Sequence, residues 1–203
     1  MSATEPHAPL GENLRRTRLD RGLTLRGLAR RLEVSPSLLS QIETGRIQPS
    51  VRTLYAVVSE LGVSMDEVFH HVEPEENGQA ADVSWTEHDG NLVVQRASER
   101  SGIDLETGVR WERLTTRDVP GVEFLYLVYP PGSESAPADA LVRHSGKELG
   151  FVEAGELGLT LGFEEYVLGP GDSVCFESSI PHRLHNDGSE DVNAVWIVLG
   201  RQS

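Results

Sequence analysis

"LTLRGLARRLEVSPSLLSQIETGRIQPSVRTLYAVVSELGVSMDEVF", Leu23 to Phe69, decides the fold of the first part of the chain. Thr24 is placed to cap a helix in which Leu25, Leu28, Ala29 and Leu32 recur at helical spacing. A turn through Glu33 and Val34 follows, and then Ser35 offers a second N-cap. Pro36 takes the first helical position, where its missing N–H costs nothing, and Gly45 stops the helix. Ser50 opens another helix running to Leu61, and Ser64 to Glu67 is a capping box for a short fifth. Upstream, Leu14, Arg18 and the "LDRG" end outline the first helix, closed by Gly22. His70 and His71 end the last one, where imidazoles suit the negative pole of a helix.

The helix from Pro36 to Thr44 must bury Leu38, Leu39 and Ile42, which turns Ser37, Ser40 and Gln41 outward. Glutamine can pair two-pronged with adenine in the major groove, and serine can serve several bases. Two helices joined by a tight turn are common, but five in this order with "IETG" and "PS" landmarks are specific. The stretch resembles the phage-repressor-like, or XRE, helix-turn-helix family over essentially its whole length. That resemblance implies base reading by Pro36, Ser37 and Gln41, with the N-cap Ser35 and Ser40 completing the DNA-facing set. Thr24, Arg26, Arg46 and Arg52 are expected to hold phosphates, which fix register rather than sequence. Arg18 and Glu43 match family positions that pair inside the domain, while Arg15, Arg16, Arg30 and Arg31 fit a solvated face as well as a DNA-facing one.

Charge divides the chain in the same way. The net charge is −14, yet Gly11 to Val72 holds nine arginines against seven acids, a balance of +2, so the remainder carries −16. A weakly basic unit joined to a strongly acidic one suggests separate tasks. A net +2 binds DNA weakly alone, so a homodimer on a palindromic operator of double-stranded DNA is expected. No run approaches the roughly 18 apolar residues of a membrane span, and residues 1–9 read as a flexible arm without the apolar segment of a secretory signal. The expected location is cytoplasmic, with no membrane partner. The lone Cys175, within "SVCF", is expected to be a buried thiol.

The helical unit is expected over 10–72 and an acidic linker, "EPEENGQAAD", over 73–82. From residue 83 to 203 the texture changes to short runs separated by turn signals: "NLVVQR", "VRWERLT", "VEFLYLVYPPG", "ELGFVEAGELGLTLG", "YVLGPGDSVCF" and "NAVWIVLG". Strands without intervening helices predict a sandwich or barrel, and so an α + β chain of two domains. "VRHSGKE" with the later Gly155, and "GPGD" through "PHRLHN", resemble the two motifs of the cupin family, an all-β jelly-roll barrel. The resemblance implies a metal or effector pocket formed by His144, Glu148 and His182, with Asn186 closing the second motif. Val142 stands where the family's first histidine usually lies, and Glu177 and Ser179 replace its usual Pro and Gly. His185, three residues beyond His182 in an extended segment, is expected to face outward.

Two histidines and one carboxylate on a single face make a facial triad with open positions. Iron, zinc, nickel and manganese all fit such a set, and a metal-free pocket for a polar ligand uses the same side chains. The leading expectation is a DNA-binding regulator, most simply a repressor, whose barrel binds a small-molecule effector and which has no catalytic residues. The alternative is a mononuclear non-haem iron enzyme, because hydroxypropylphosphonate epoxidase has a similar layout and the same spacing of ligands. Arg143, Lys147, Arg183 and Tyr166 are then the residues from which substrate anchors would be drawn.

Overall fold

Thr24, Ser35 and Ser50 each turn a hydroxyl back onto the helix that follows, accepting from the amides of Gly27, Leu38 and Thr53 at 3.0, 3.1 and 3.1 Å. The computed structural model describes residues 10–69 and 94–200. The expected arm, the linker, and His70 and His71 lie outside the described residues. Within them, α1 spans Leu10–Asp20, α2 Leu25–Arg31, α3 Pro36–Glu43, α4 Val51–Leu61 and α5 Met65–Phe69. The capping box of α5 is reciprocal: Glu67 N–H donates to Ser64 Oγ at 3.1 Å and Ser64 N–H to Glu67 Oε1 at 2.9 Å. Leu14, Leu28, Leu39, Ile42, Leu54, Val58 and Met65 fill the helical core. Arg18 and Glu43 are buried beside it as a two-pronged pair, Nε–Oε1 at 2.6 Å and Nη2–Oε2 at 2.7 Å.

The second unit is built from β1 Gly102–Asp104, β2 Arg110–Arg113, β3 Val122–Tyr129, β4 Lys147–Ala154, β5 Leu157–Leu161, β6 Glu164–Leu168, β7 Ser173–Glu177, β8 His182–His185 and β9 Val192–Leu199. Six of these form one sheet, in the order β1-β2-β3-β9-β4-β7, and β6-β5-β8 form another. The described pairings are antiparallel, so period-two alternation sets the inner face. Leu125, Leu127 and Tyr129 of β3 and Val192, Ala194, Trp196 and Val198 of β9 point between the sheets.

Two expectations fail here. "NLVVQR" does not yield a strand in its described part, since Val94–Arg96 are irregular and lead into a short 3-10 turn, Ala97–Glu99. Cys175 is exposed rather than buried. It lies on β7, an edge strand, where Phe176 takes the inward position and its neighbour therefore faces out. No helix among the described residues is long and apolar enough to cross a membrane.

The helical unit sits on the barrel through α4. Its leading turn is tied down by Arg52 N–H to the Ser135 carbonyl at 3.3 Å and by Glu106 N–H to the Pro49 carbonyl at 2.9 Å. Val51 and Tyr55, one helical turn apart, enter the wall of the barrel interior.

Candidate functional site

Glu148 faces inward because it shares a face of β4 with Gly150 and Val152. Across β9, Gly150 stands opposite Trp196, and a Cβ on Gly150 would collide with the indole ring. The missing side chain lets that ring lie across the strand, where Trp196 Nε1–H donates to Glu148 Oε2 at 2.7 Å. The other oxygen, Oε1, lies 3.0 Å from His144 Nε2 and 3.1 Å from His182 Nε2. His144 stands in the connection before β4, held by its N–H to the Ser178 carbonyl at 3.0 Å, and His182 opens β8. Val142 pairs its backbone with that of His182, and its buried side chain lines the same interior.

Each imidazole is fixed from behind. His144 Nδ1 lies 3.0 Å from the Ser145 carbonyl and His182 Nδ1 2.9 Å from the Ile180 carbonyl. A carbonyl requires the hydrogen on Nδ1, which leaves each neutral ring with a lone pair at Nε2 aimed at Glu148. His144 Nε2 and Glu148 Oε1 are both buried without a hydrogen bond. Ligand atoms of all three residues lie within 4.8 Å of one another. Two ligands at right angles, each about 2.1 Å from an ion, stand roughly 3 Å apart, so the donor set fits a divalent metal. The backbone carbonyls behind the rings are the outer support that metal-binding histidines need.

Electrostatics follow from the same contacts. Burial pushes the Glu148 carboxyl up, but imidazoles that carry a second hydrogen, on Nε2 in place of the lone pair, overcome it and hold the group well below the usual carboxylate range. His182 is lowered by burial, and its contact with Glu148 and the Ile180 carbonyl more than restores it, leaving a net upward shift. The carboxylate is thus ionised at neutral pH, as a metal ligand must be.

Helix α4 of the helical unit contributes to this site. The Tyr55 ring stacks on His144 with centroids 4.6 Å apart and planes 22° apart, and meets Trp111 edge-on at 5.5 Å. Sequence reasoning assigned no role to Tyr55 or Trp196. For Tyr55 a signal existed: Val51, Leu54, Tyr55, Val57, Val58 and Leu61 are all buried, an apolar band wider than one small core needs. For Trp196 the alternation of β9 placed it inward, but only the register to Gly150 reveals its partner.

Among the residues expected at DNA, Pro36, Ser37, Gln41, Thr24, Arg26 and Arg46 are exposed, and Ser40 is half-buried. Ser35 and Thr24 use their hydroxyls as caps. Arg52 is exposed too, but it borders a cleft against the barrel with Arg143. Leu38 is only half-buried, packed on the core that Leu39 and Ile42 enter. Arg31 pairs with Glu60 at 2.8 Å on the surface. Arg183 is engaged by Glu134 at 2.6 Å and Lys147 by Glu177 at 3.1 Å. His185 faces outward, half-buried, with Asp187 at 3.0 Å. Asn186 is structural: its amide donates to the carbonyls of Tyr129 and Glu190 at 2.7 and 2.8 Å.

A helix-turn-helix domain family matches residues 9–70 and a cupin domain family matches residues 125–198. The chain joins a helix-turn-helix domain to a cupin domain. This helix-turn-helix and cupin chain is 26% identical to the HTH-type transcriptional regulator PuuR of Escherichia coli (strain K12) over 176 residues, 87% of this chain and 86% of PuuR. A transcriptional regulator from Vibrio cholerae shares the fold, with a TM-score of 0.63 at 22% identity over 95% of this chain and 96% of that one. Hydroxypropylphosphonic acid epoxidase from S. wedmorenis overlays with a TM-score of 0.45 at 20% identity, over 97% of this chain and 100% of that one.

Proposed function

We propose that this chain is a sequence-specific DNA-binding regulator, a repressor acting as a dimer on a palindromic operator, and that its cupin barrel senses a small molecule. The observation that carries the reading is α3: Leu39 and Ile42 anchor it while Ser37 and Gln41 stand in solvent at the end of a capped helix. The likeness to PuuR, a named transcriptional regulator, extends across both domains and supports the same reading. A dimer answers the weak net charge of one helical unit, and β6 offers a surface for it: an edge strand bearing Tyr166 and Val167, beside the fully exposed Phe163. Light scattering in solution tests this. A cytoplasmic location agrees with a DNA target.

His144, Glu148 and His182 would hold a divalent ion, with iron, zinc, nickel and manganese all compatible with two imidazoles and a carboxylate. Such an ion, when bound, supplies a Lewis-acidic centre with positions open to a ligand. The same donor set favours a second reading, an oxygen-using iron enzyme. The contact of Tyr55 on His144 speaks for the regulator, because it links the barrel interior to the DNA-reading unit.

The test pairs a gel shift on DNA from upstream of the protein's own gene with elemental analysis of untagged protein. A shifted band carries the regulator. One iron per chain with no shift would replace it with the enzyme.

A further inference from the structure

The barrel interior is nearly full. Its cavity is about 20 Å³ and is bounded by Val51 and Tyr55 of α4 as well as by Glu148 and His182. That volume suits a single ion or water, whereas an organic ligand needs roughly 300 Å³ or more. Such room exists just outside, in a cleft of about 360 Å³ between α4 and the segment from Leu141 to Ser145. Tyr55 and Val142 line both spaces, so they form the partition between them.

The chemistry of the cleft is unlike the rest of this acidic chain. Arg52 and Arg143 border it, both exposed, and neither guanidinium has an ion pair among the described residues. The cleft's one carboxylate, Glu60, is already taken by Arg31. Two unpaired guanidiniums on facing elements match the planar, two-pronged geometry of a carboxylate.

We propose that the barrel senses its effector not in its interior but at its wall, in this interdomain cleft, that the ligand is a small organic carboxylate held by Arg52 and Arg143, and that binding lifts the Tyr55 ring from His144. The proposal rests on the regulator reading above and names its ligand class and its route to the DNA. Tyr55 belongs to α4, whose Leu54, Val58 and Leu61 are buried in the helical core, so a ring displaced at the cleft shifts a helix on which the DNA-reading unit is built. A ligand switches only if it favours one state over the other, and the stacked and lifted positions of Tyr55 are those two states.

The full-length chain is titrated calorimetrically with acetate, succinate, glutamate and citrate, and with putrescine as a cationic control, while gel shifts on upstream DNA follow each addition. At least one carboxylate is expected to bind, roughly tenfold or more weakly to Arg143→Ala and to Arg52→Ala/Arg143→Ala, with putrescine silent. Tyr55→Leu, which keeps an apolar side chain on α4, is expected to change carboxylate affinity and, at carboxylate concentrations that saturate it, to show no effect of the ligand on DNA affinity. Equal carboxylate binding by the double variant, binding of putrescine alone, or binding of none of the five overturns the site. A carboxylate that still alters DNA affinity in Tyr55→Leu overturns the route through the ring. If the ligand-free chain binds no upstream DNA, the regulator reading fails and takes the effector role with it; DNA binding without carboxylate binding overturns the cleft alone.

Discussion

Trp196 donates its indole hydrogen to one oxygen of Glu148 and leaves the other facing two imidazoles, so a residue with no metal-binding atom of its own decides which lone pairs are offered. Trp196→Phe keeps a ring over Gly150 and removes the donor. Metal affinity is expected to fall about 10- to 100-fold, the usual cost of losing a group that orients a ligand. Competition with a chelator measures it, and an unchanged constant would remove Trp196 from the site.

Gly150→Ala attacks the same contact from the opposite strand. The added Cβ overlaps the indole, which must swing away from Glu148. Overpacking of this kind costs about 1–3 kcal/mol, and here metal affinity should drop together with stability. Thermal unfolding with and without added metal reads both effects. A variant that loses stability but keeps the metal would contradict the geometry.

The ligand set is tested by His144→Ala combined with Glu148→Ala. The double variant is expected to purify without metal and to respond differently to effector, because only His182 remains to bind an ion. An ion retained at full stoichiometry would mean that other residues hold it.

Gln41 is exposed on α3, one helical turn beyond Ser37. If it pairs with a base, Gln41→Ala should weaken operator binding by about 1–3 kcal/mol and relax sequence preference at one position. The barrel should stay folded. Titration against operator and a scrambled duplex separates the two effects, and equal affinity for the operator in both proteins would relocate the reading surface.

Arg18 and Glu43 are both buried, and their pair is closed by two short contacts plus Arg18 Nη1–H to the Leu23 carbonyl at 2.7 Å. Glu43→Ala strands the guanidinium in the core and should destabilise the helical unit by about 3–5 kcal/mol. Urea unfolding followed by helical circular dichroism gives the figure. A loss of less than about 1 kcal/mol would place the pair among surface bridges.

Local chemistry made the helical unit legible. Thr24, Ser35, Ser50 and the Ser64–Glu67 box are signals that act within four residues, and each cap forms where its residue type predicts. The strand runs were legible wherever alternation was long, as in β3 and β9, whereas Val94–Arg96, the described part of "NLVVQR", are irregular. His144, Glu148 and His182 came from the resemblance of "VRHSGKE" and "PHRLHN" to the cupin motifs, and the structure brings their donor atoms together. Cys175 misled because an apolar run does not say which alternate residues face in; that depends on β7 being an edge. Tyr55 and Trp196 act through partners 89 and 48 residues away, His144 and Glu148, which no local pattern can name.

Val51 and Tyr55 make α4 a shared wall, and that bears on how such proteins can be recombined. A chimera that replaces the helical head with another reader of DNA would also replace the stopper of the barrel. Unless the incoming helix carries an aromatic residue at the position of Tyr55, the hybrid should keep its new operator and respond to nothing. Heads and sensors of this architecture are therefore expected to be exchangeable only as matched pairs.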